Sequence, residues 1–234
     1  MAKKLFDVIY IVKEDARNEE LRYSLRSVCE NFPVRNVWIF GYVPLWLKEV
    51  IGVSIPQTGN KWENSKMLFS YIANCKSVPD EFFLFNDDFF VMEKITNPKN
   101  YYCGKLQDRI DELKKKAPNN PMYSGNLQKV ENRLQEYGRK NNKNYAVHKP
   151  MKFNRAMLAY SLALTKDLPM SLRSFYGNYY GLRGLIDAPD CKVFTLGEYK
   201  VEGPYLSTDD RTFRIGRVGR DIRAKFPNKC KYER

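Results

Sequence analysis

One histidine, His148, occurs in 234 residues, and the five cysteines stand singly at Cys29, Cys75, Cys103, Cys191 and Cys230. Without a Cys-x-x-Cys pair and with a single imidazole, neither a zinc site nor a disulfide framework fits, so the thiols read as reduced and mostly structural. Gly-x-Gly-x-x-Gly is absent, as is the Walker Gly-Lys-Ser/Thr, which removes the ordinary dinucleotide and P-loop readings. No apolar run approaches membrane-spanning length. Met1-Ala2-Lys3-Lys4 leads straight into a strand-like segment rather than a signal peptide, and a cytoplasmic location is expected.

Acidic residues are also scarce: 27 Asp+Glu face 40 Lys+Arg, a formal charge of +13. Such an excess favours a polyanionic partner, whether nucleic acid, an anionic glycan or an acidic membrane surface. Hydrophobic content of 43% and aromatic content of 14% exclude a disordered chain. The length suits a single domain, residues 1–234, with an insert within it.

What is present centres on Glu81 to Val91, an aromatic-rich apolar run broken by Asn86-Asp87-Asp88. The run reads as a strand buried on both faces inside a parallel sheet. Ionised carboxylates are costly to bury unpaired, so the two aspartates belong where the strand emerges, at the ligand-binding end of an open α/β sheet. Asp87 and Asp88 are then hard oxygen ligands for Mg²⁺ or Mn²⁺ beside a phosphorylated ligand. The competing reading is a solvated turn that caps a core strand.

Strands are predicted over Phe6 to Val12, Val34 to Val43 and Val50 to Pro56, with a helix over Asn18 to Asn31 between the first two. That helix places Leu21, Leu25 and Val28 on one face and stacks Arg22 on Arg26, which reads as a solvated face. Gly59 to Lys66 reads as a polar loop before a helix from Met67 to Ala73, with Asn64 or Ser65 as N-cap, or as a loop offering amide and ammonium groups to a diphosphate. Lys105 to Lys116 and Asn126 to Lys140, separated by Pro118-Asn119-Asn120-Pro121, read as a helical hairpin inserted over residues 99–145. From Lys99 to Lys152 the chain holds 13 Lys+Arg against 5 Asp+Glu, so the hairpin is a candidate acceptor surface or simply a solvated helix pair. A helix is predicted from Phe153 to Thr165, then a glycine-containing loop from Ser171 to Asn178 of the kind that approaches ligands closely. Arg211, Arg214, Arg217, Arg220 and Arg223 follow Asp209-Asp210 at a spacing of three, an array suited to phosphates or to pairing with nearby aspartates.

Taken in order, Asp7 to Tyr10, Glu20 to Ser27 and Pro33 to Ile39 resemble the first block of the Stealth proteins. That family comprises bacterial capsular sugar-1-phosphate transferases and the related GlcNAc-1-phosphotransferase. Asn64-Ser65 with Phe83 to Phe90 is similar to the second block, His148-Lys149-Pro150 to the start of the third, and Asp209-Asp210 with Phe226 to Glu233 to the fourth. The first strand departs from the family by running into Val12-Lys13-Glu14-Asp15 in place of Trp-Val-Asp-Gly. The resemblance implies an α/β fold, a Rossmann-like GT-A-type mixed sheet flanked by helices. It implies a nucleotide-sugar donor, a UDP-sugar above all, with Asp87 and Asp88 holding a divalent ion against the diphosphate. Catalytic roles fall to His148 as general base, Arg173 and Asp210, and donor contacts to Asp15, Arg22, Asn60, Lys61, Asn64 and Arg211. Attack at the β-phosphorus would transfer sugar-1-phosphate and attack at the anomeric carbon a sugar, to a polymeric anionic acceptor, glycan or nucleic acid. Two further readings are a phage-type glycosyltransferase acting on hydroxylated DNA bases and a non-enzymatic, basic nucleic-acid-binding protein.

Overall fold

A computed structural model of the chain describes residues 4–15, 17–119, 121–168 and 172–234. The expectations made at Met1 to Lys3, Asn120 and Ser171 lie outside these described residues.

The centre is a five-stranded sheet in the order β3-β2-β1-β4-β7, built from β1 (Phe6–Val12), β2 (Val34–Gly41), β3 (Ile51–Ser54), β4 (Glu81–Asn86) and β7 (Met151–Asn154). The first four strands run parallel and β7 pairs antiparallel with β4. The sheet is mixed and flanked by helices, as expected of the α/β class. Strand side chains alternate between two cores. Phe6, Val8, Tyr10, Phe83 and Phe85 pack on α1 (Glu19–Asn31), while Ile9, Phe40, Phe82 and Leu84 pack on the side of α2 (Lys61–Asn74), α5 (Arg155–Leu164) and α6 (Leu172–Tyr179). A strand buried on both faces has no need of polar alternation, which is why these segments read as continuous apolar runs.

The Glu81 to Val91 run is two strands. After β4 the chain turns at Asp87-Asp88 and leaves the main sheet, and β5 (Phe89–Val91) pairs instead with β9 (Tyr205–Ser207) in a separate antiparallel ribbon. The edge of β5 is satisfied by α1 side chains: Ser27 Oγ accepts from Val91 N at 2.9 Å, Asn31 Nδ2 donates to Val91 O at 2.8 Å, and Ser24 Oγ donates to Phe89 O. β6 (Tyr101–Tyr102) and β8 (Ile186–Asp187) make a second small ribbon. Between them in sequence, α3 (Leu106–Lys116) and α4 (Met122–Glu136) pack through Leu106, Ile110, Leu127, Val130 and Leu134 and seat on Phe175 of α6.

Three expectations are corrected. Residues 61–66 are the first turns of α2, and the N-cap is Asn60, whose side chain accepts from Trp62 N and Glu63 N. Residues 172–178 are helix, not loop. The segment from Met151 is first an edge strand, so the helix after it starts at Arg155. The terminal arginines lie on two short helices, α7 (Asp210–Ile215) and α8 (Arg217–Lys225), split at Gly216. There the pair crosses closely: a Cβ at Gly219 would lie 1.7 Å from Phe213 O, so only glycine fits.

Candidate active site

Parallel register sets the last residue of β4, Asn86, beside Ile11 near the end of β1. The β1–β2 and β1–β4 neighbours lie on opposite sides of β1, so the crevice beyond these carboxyl ends is where an open α/β sheet binds its ligand. Asp87 and Asp88 stand there. The α1 residues that cover β5 form a polar stripe, Glu20, Ser24, Ser27 and Asn31, and its first member reaches the same place. Thr208, just after β9, donates its hydroxyl to Glu20 Oε1 at 2.5 Å and its backbone N–H to Asp88 O at 3.4 Å. Asp209 caps α7 through Thr212, which leaves Asp210 exposed on the first turn.

The four carboxyls Glu20, Asp87, Asp88 and Asp210 repel one another. Burial, then Asp88, push Asp87 up to about 7, with Asp210 adding to the rise. Burial pushes Glu20 up to about 8 against the Thr208 hydrogen bond, and Asp88, Asp87 and Asp210 reinforce the shift. Lys192 answers them directly: its Nζ donates to Asp88 Oδ2 at 2.8 Å, and burial, which opposes its charge, is outweighed by Asp88 with the other carboxyls around it. Ser207 Oγ donates to the same oxygen at 3.3 Å. Asp88 Oδ1 is buried and has no hydrogen-bond partner among the described residues.

These features fit a hard divalent cation. Carboxylate oxygens are its preferred donors, an orphaned Oδ1 is available, and added positive charge would relieve Asp87. No group of three or more His, Cys, Asp or Glu among the described residues is arranged to hold a metal ion. Asp87 and Asp88 are the residues that could hold such an ion, in the manner of Mg²⁺ sites that leave other positions to phosphate and water.

His148 packs against Phe89, the two rings T-shaped at a centroid distance of 6.4 Å. Its Nδ1 lies 2.6 Å from Asp190 Oδ2. Asp190 and Lys192 are held in place by backbone bonds to β9, where Ser207 N donates to Cys191 O and Val193 N donates to Ser207 O. Arg173, on α6, places its guanidinium 5.4 Å from the Phe89 ring centre. Its Nη1 donates to Lys149 O at 2.6 Å and Val147 O at 3.3 Å, while Nη2 is buried with no hydrogen-bond partner among the described residues. Burial lowers its pKa to about 10, with Asp88 and Asp190 opposing the fall, so it stays charged at neutral pH.

Of the sequence candidates, Asp87, Asp88, Asp210, His148 and Arg173 come together around the turn at Asp87-Asp88 and Phe89. Others are placed in structural work. Arg22 donates to Glu233 Oε2 at 2.6 Å and stacks on Trp46, and Arg26 is only 8% exposed beside it, so the pair is not a solvated face. Asp15 Oδ1 accepts from Arg17 N and Asn18 N, which hold its carboxyl below the usual range at the entry to α1. Asn60 caps α2, and Asn64 brackets Gly59 by bonding both its N–H and its carbonyl. Lys61 and Arg211 are exposed on the first turns of α2 and α7. Sequence reasoning assigned no role to Glu20, Asp190, Lys192 or Thr208. Glu20 had a usable signal in its spacing from Ser24, Ser27 and Asn31, whereas residues 190–192 carry no periodic pattern.

No protein-family model matches the chain, and no curated protein matches it in sequence. Among solved structures it is similar to the galactosyltransferase LgtC in complex with donor and acceptor sugar analogues, at 11% identity and a TM-score of 0.47, over 78% of this chain and 73% of that one. It is also similar to the glycosyltransferase GlyE of Streptococcus pneumoniae TIGR4, at 12% identity and a TM-score of 0.30, over 43% of this chain and 29% of that one. These structural neighbours are glycosyltransferases. Similarity this loose assigns no residue of the present chain a role.

Proposed function

We propose that the protein is a divalent-cation-dependent transferase that moves a sugar from a nucleotide-sugar, a UDP-sugar above all, to a hydroxyl of an anionic polymer. The observation that carries this reading is the pair Asp87-Asp88 at the carboxyl end of β4, with one carboxylate oxygen buried and unpartnered and the neighbouring carboxyl pushed up to about 7. Carboxyls perturbed this strongly in a crevice cluster at functional sites. Mg²⁺ or Mn²⁺, when bound, supplies positive charge to the diphosphate of the donor. Arg173 offers its unpartnered Nη2 to the same phosphates, and Arg211, exposed beside Asp210, offers a second guanidinium. Lys61, exposed on the first turn of α2, is the remaining candidate for the nucleotide. His148 takes the proton of the acceptor hydroxyl, a task that suits an imidazole near neutral pH. Lys115, Lys129, Arg139 and Lys140, all exposed on or just after the inserted hairpin, suit an anionic acceptor.

The test is to incubate the protein with UDP-glucose or UDP-GlcNAc and Mn²⁺ and identify the released nucleotide by mass spectrometry. UDP is the expected product, and Asp88→Ala should lose at least about a hundredfold in rate, since even outer-shell changes at metal sites cost 10–100-fold. The variant should keep its circular dichroism spectrum. Release of UMP instead would mean transfer of sugar-1-phosphate, the chemistry implied by the Stealth resemblance. No release from any nucleotide-sugar, together with steeply salt-dependent binding to nucleic acid, would replace the enzyme by a binding protein.

A further inference from the structure

The single histidine is held with more hydrogen bonds than its exposure calls for. Its side chain is 32% exposed and that of Asp190 33%, and an ion pair this open ordinarily contributes little to stability. Yet every neighbouring group is fixed. Asp190 Oδ1 accepts from His148 N at 2.9 Å and from Cys191 N at 2.8 Å, and Oδ2 lies 2.6 Å from His148 Nδ1. The Cys191 thiol donates to His148 O at 3.0 Å. Arg173 ties down the carbonyls of Val147 and Lys149 on either side, and Lys149 Nζ donates to Pro189 O at 2.6 Å. The residues before, at and after His148 thus have their carbonyls bonded, twice by Arg173 and once by Cys191, while Pro189 accepts from Lys149 and Asp190 from His148.

We infer that Asp190 is the positioning residue for His148, holding the imidazole by Nδ1–H so that Nε2 is the nitrogen left to accept the proton of an acceptor hydroxyl. The chemistry of the pair dictates the direction. An ionised carboxylate only accepts, so the hydrogen on the shared axis belongs to Nδ1, and in the neutral ring the lone pair is then on Nε2. Burial alone would raise the Asp190 pKa, but the hydrogen bond from His148 and the backbone N–H groups of His148 and Cys191 carry it below the usual value, so it is ionised at neutral pH. Its contribution is therefore present at neutral pH and lost only as pH falls through that lowered value. The other charged or titratable groups around the pair are Arg173 and Tyr123, which face Asp190, and Cys191, Lys149 and, beyond Arg173, Asp88. Burial, then Asp190, push the Cys191 thiol up to about 12, so it remains a donor to His148 O. The inference rests on the proposed reading of His148 as the base, and its test has a readout that does not.

Because the chain has one histidine, uniform ¹⁵N labelling gives one pair of imidazole nitrogens and their tautomer can be read directly. At a pH high enough that the ring is neutral, the wild-type protein should show the Nδ1–H tautomer, Asp190→Asn should shift the ring toward Nε2–H or a mixture, and Asp190→Glu should restore Nδ1–H. Transfer by Asp190→Asn should fall between about a hundredfold and ten-thousandfold in kcat, the range from general-base loss to a misassigned tautomer in a triad. The KM for the nucleotide-sugar should be unchanged, and thermal melting should confirm that both variants fold. An Nε2–H tautomer in the wild type, or Nδ1–H undiminished in Asp190→Asn, overturns the inference. A tautomer that switches while kcat stays put upholds the hold of Asp190 on the ring and removes His148 as the base, which separates failure of the two claims.

Discussion

Helix α1 carries a charged residue to each of two places, and the fold treats them oppositely. On one face Arg22 and Arg26 meet Glu233, whose side chain is fully buried: Arg26 Nε and Nη2 bond its two oxygens at 2.7 and 3.0 Å, Arg22 adds a third contact, and Cys230 N adds a fourth. Burial alone would raise the Glu233 pKa, but these partners carry it below the ordinary carboxylate value. On another face Glu20 meets Asp87, Asp88 and Asp210, and its pKa goes up to about 8. A carboxylate surrounded by its own counter-charges is doing structural work. One surrounded by like charges costs the fold stability, which marks it as a candidate functional site.

Breaking the satisfied centre should have the largest effect on the molecule. Glu233→Ala leaves two guanidiniums, one of them buried, without their carboxylate and also releases the Cys230 N–H that holds the terminal segment. Removing one partner of a buried ion pair costs about 3–5 kcal/mol, and urea unfolding should show a loss of that size. A loss under about 1 kcal/mol, the range of exposed pairs, would mean that the C-terminal segment does not brace α1.

Relieving the unsatisfied centre should act with the opposite sign. Glu20 has its pKa raised from 4.5 to about 8 in the folded protein, so the folded state retains a proton that the unfolded chain gives up. Its favourable contribution is complete below the unfolded value and is lost as pH rises through about 8. Glu20→Gln is a neutral stand-in for the protonated form. Without divalent ions, wild-type and variant melting temperatures should agree near pH 4 and diverge as pH rises toward about 8, with the variant the more stable at pH 9. Parallel curves would show that the carboxyl cluster is not under charge repulsion.

The parts of the fold legible in the sequence were those with a long, one-signed pattern. Phe6 to Val12 and Glu81 to Phe85 were readable because both faces are buried, and the hairpin because Leu106, Ile110, Leu127, Val130 and Leu134 keep helical spacing. Asp87-Asp88 was readable because polarity interrupts such a run. The ribbon of β5 with β9 was not, since strands of three residues leave no period to detect. Gly177 and Asn178 suggested a loop, yet the glycine is a packing requirement inside α6, where a Cβ would meet the Tyr145 ring at 2.5 Å. The partners that complete the site, Asp190 and Lys192, are brought in by backbone bonds to Ser207, a contact that no local spacing encodes.

The smallest effect separates the two uses a polar side chain can have near the crevice. Asn60 was a donor-contact candidate, but its Oδ1 accepts from Trp62 N and Glu63 N at 2.9 and 3.2 Å, and Glu63 Oε2 accepts from Asn60 N in return. An amide whose oxygen is spent on the helix end has only its NH₂ to offer a ligand. Asn60→Ala should therefore cost about 1 kcal/mol, the usual price of an N-cap, and Asn60→Asp, which keeps the accepting oxygen and removes the NH₂, should recover most of it. If Asn60 serves α2 alone, KM for the nucleotide-sugar stays the same in Asn60→Asp. A raised KM in that variant, with stability restored, would place the amide on the donor and move one residue from the satisfied side of the comparison to the other.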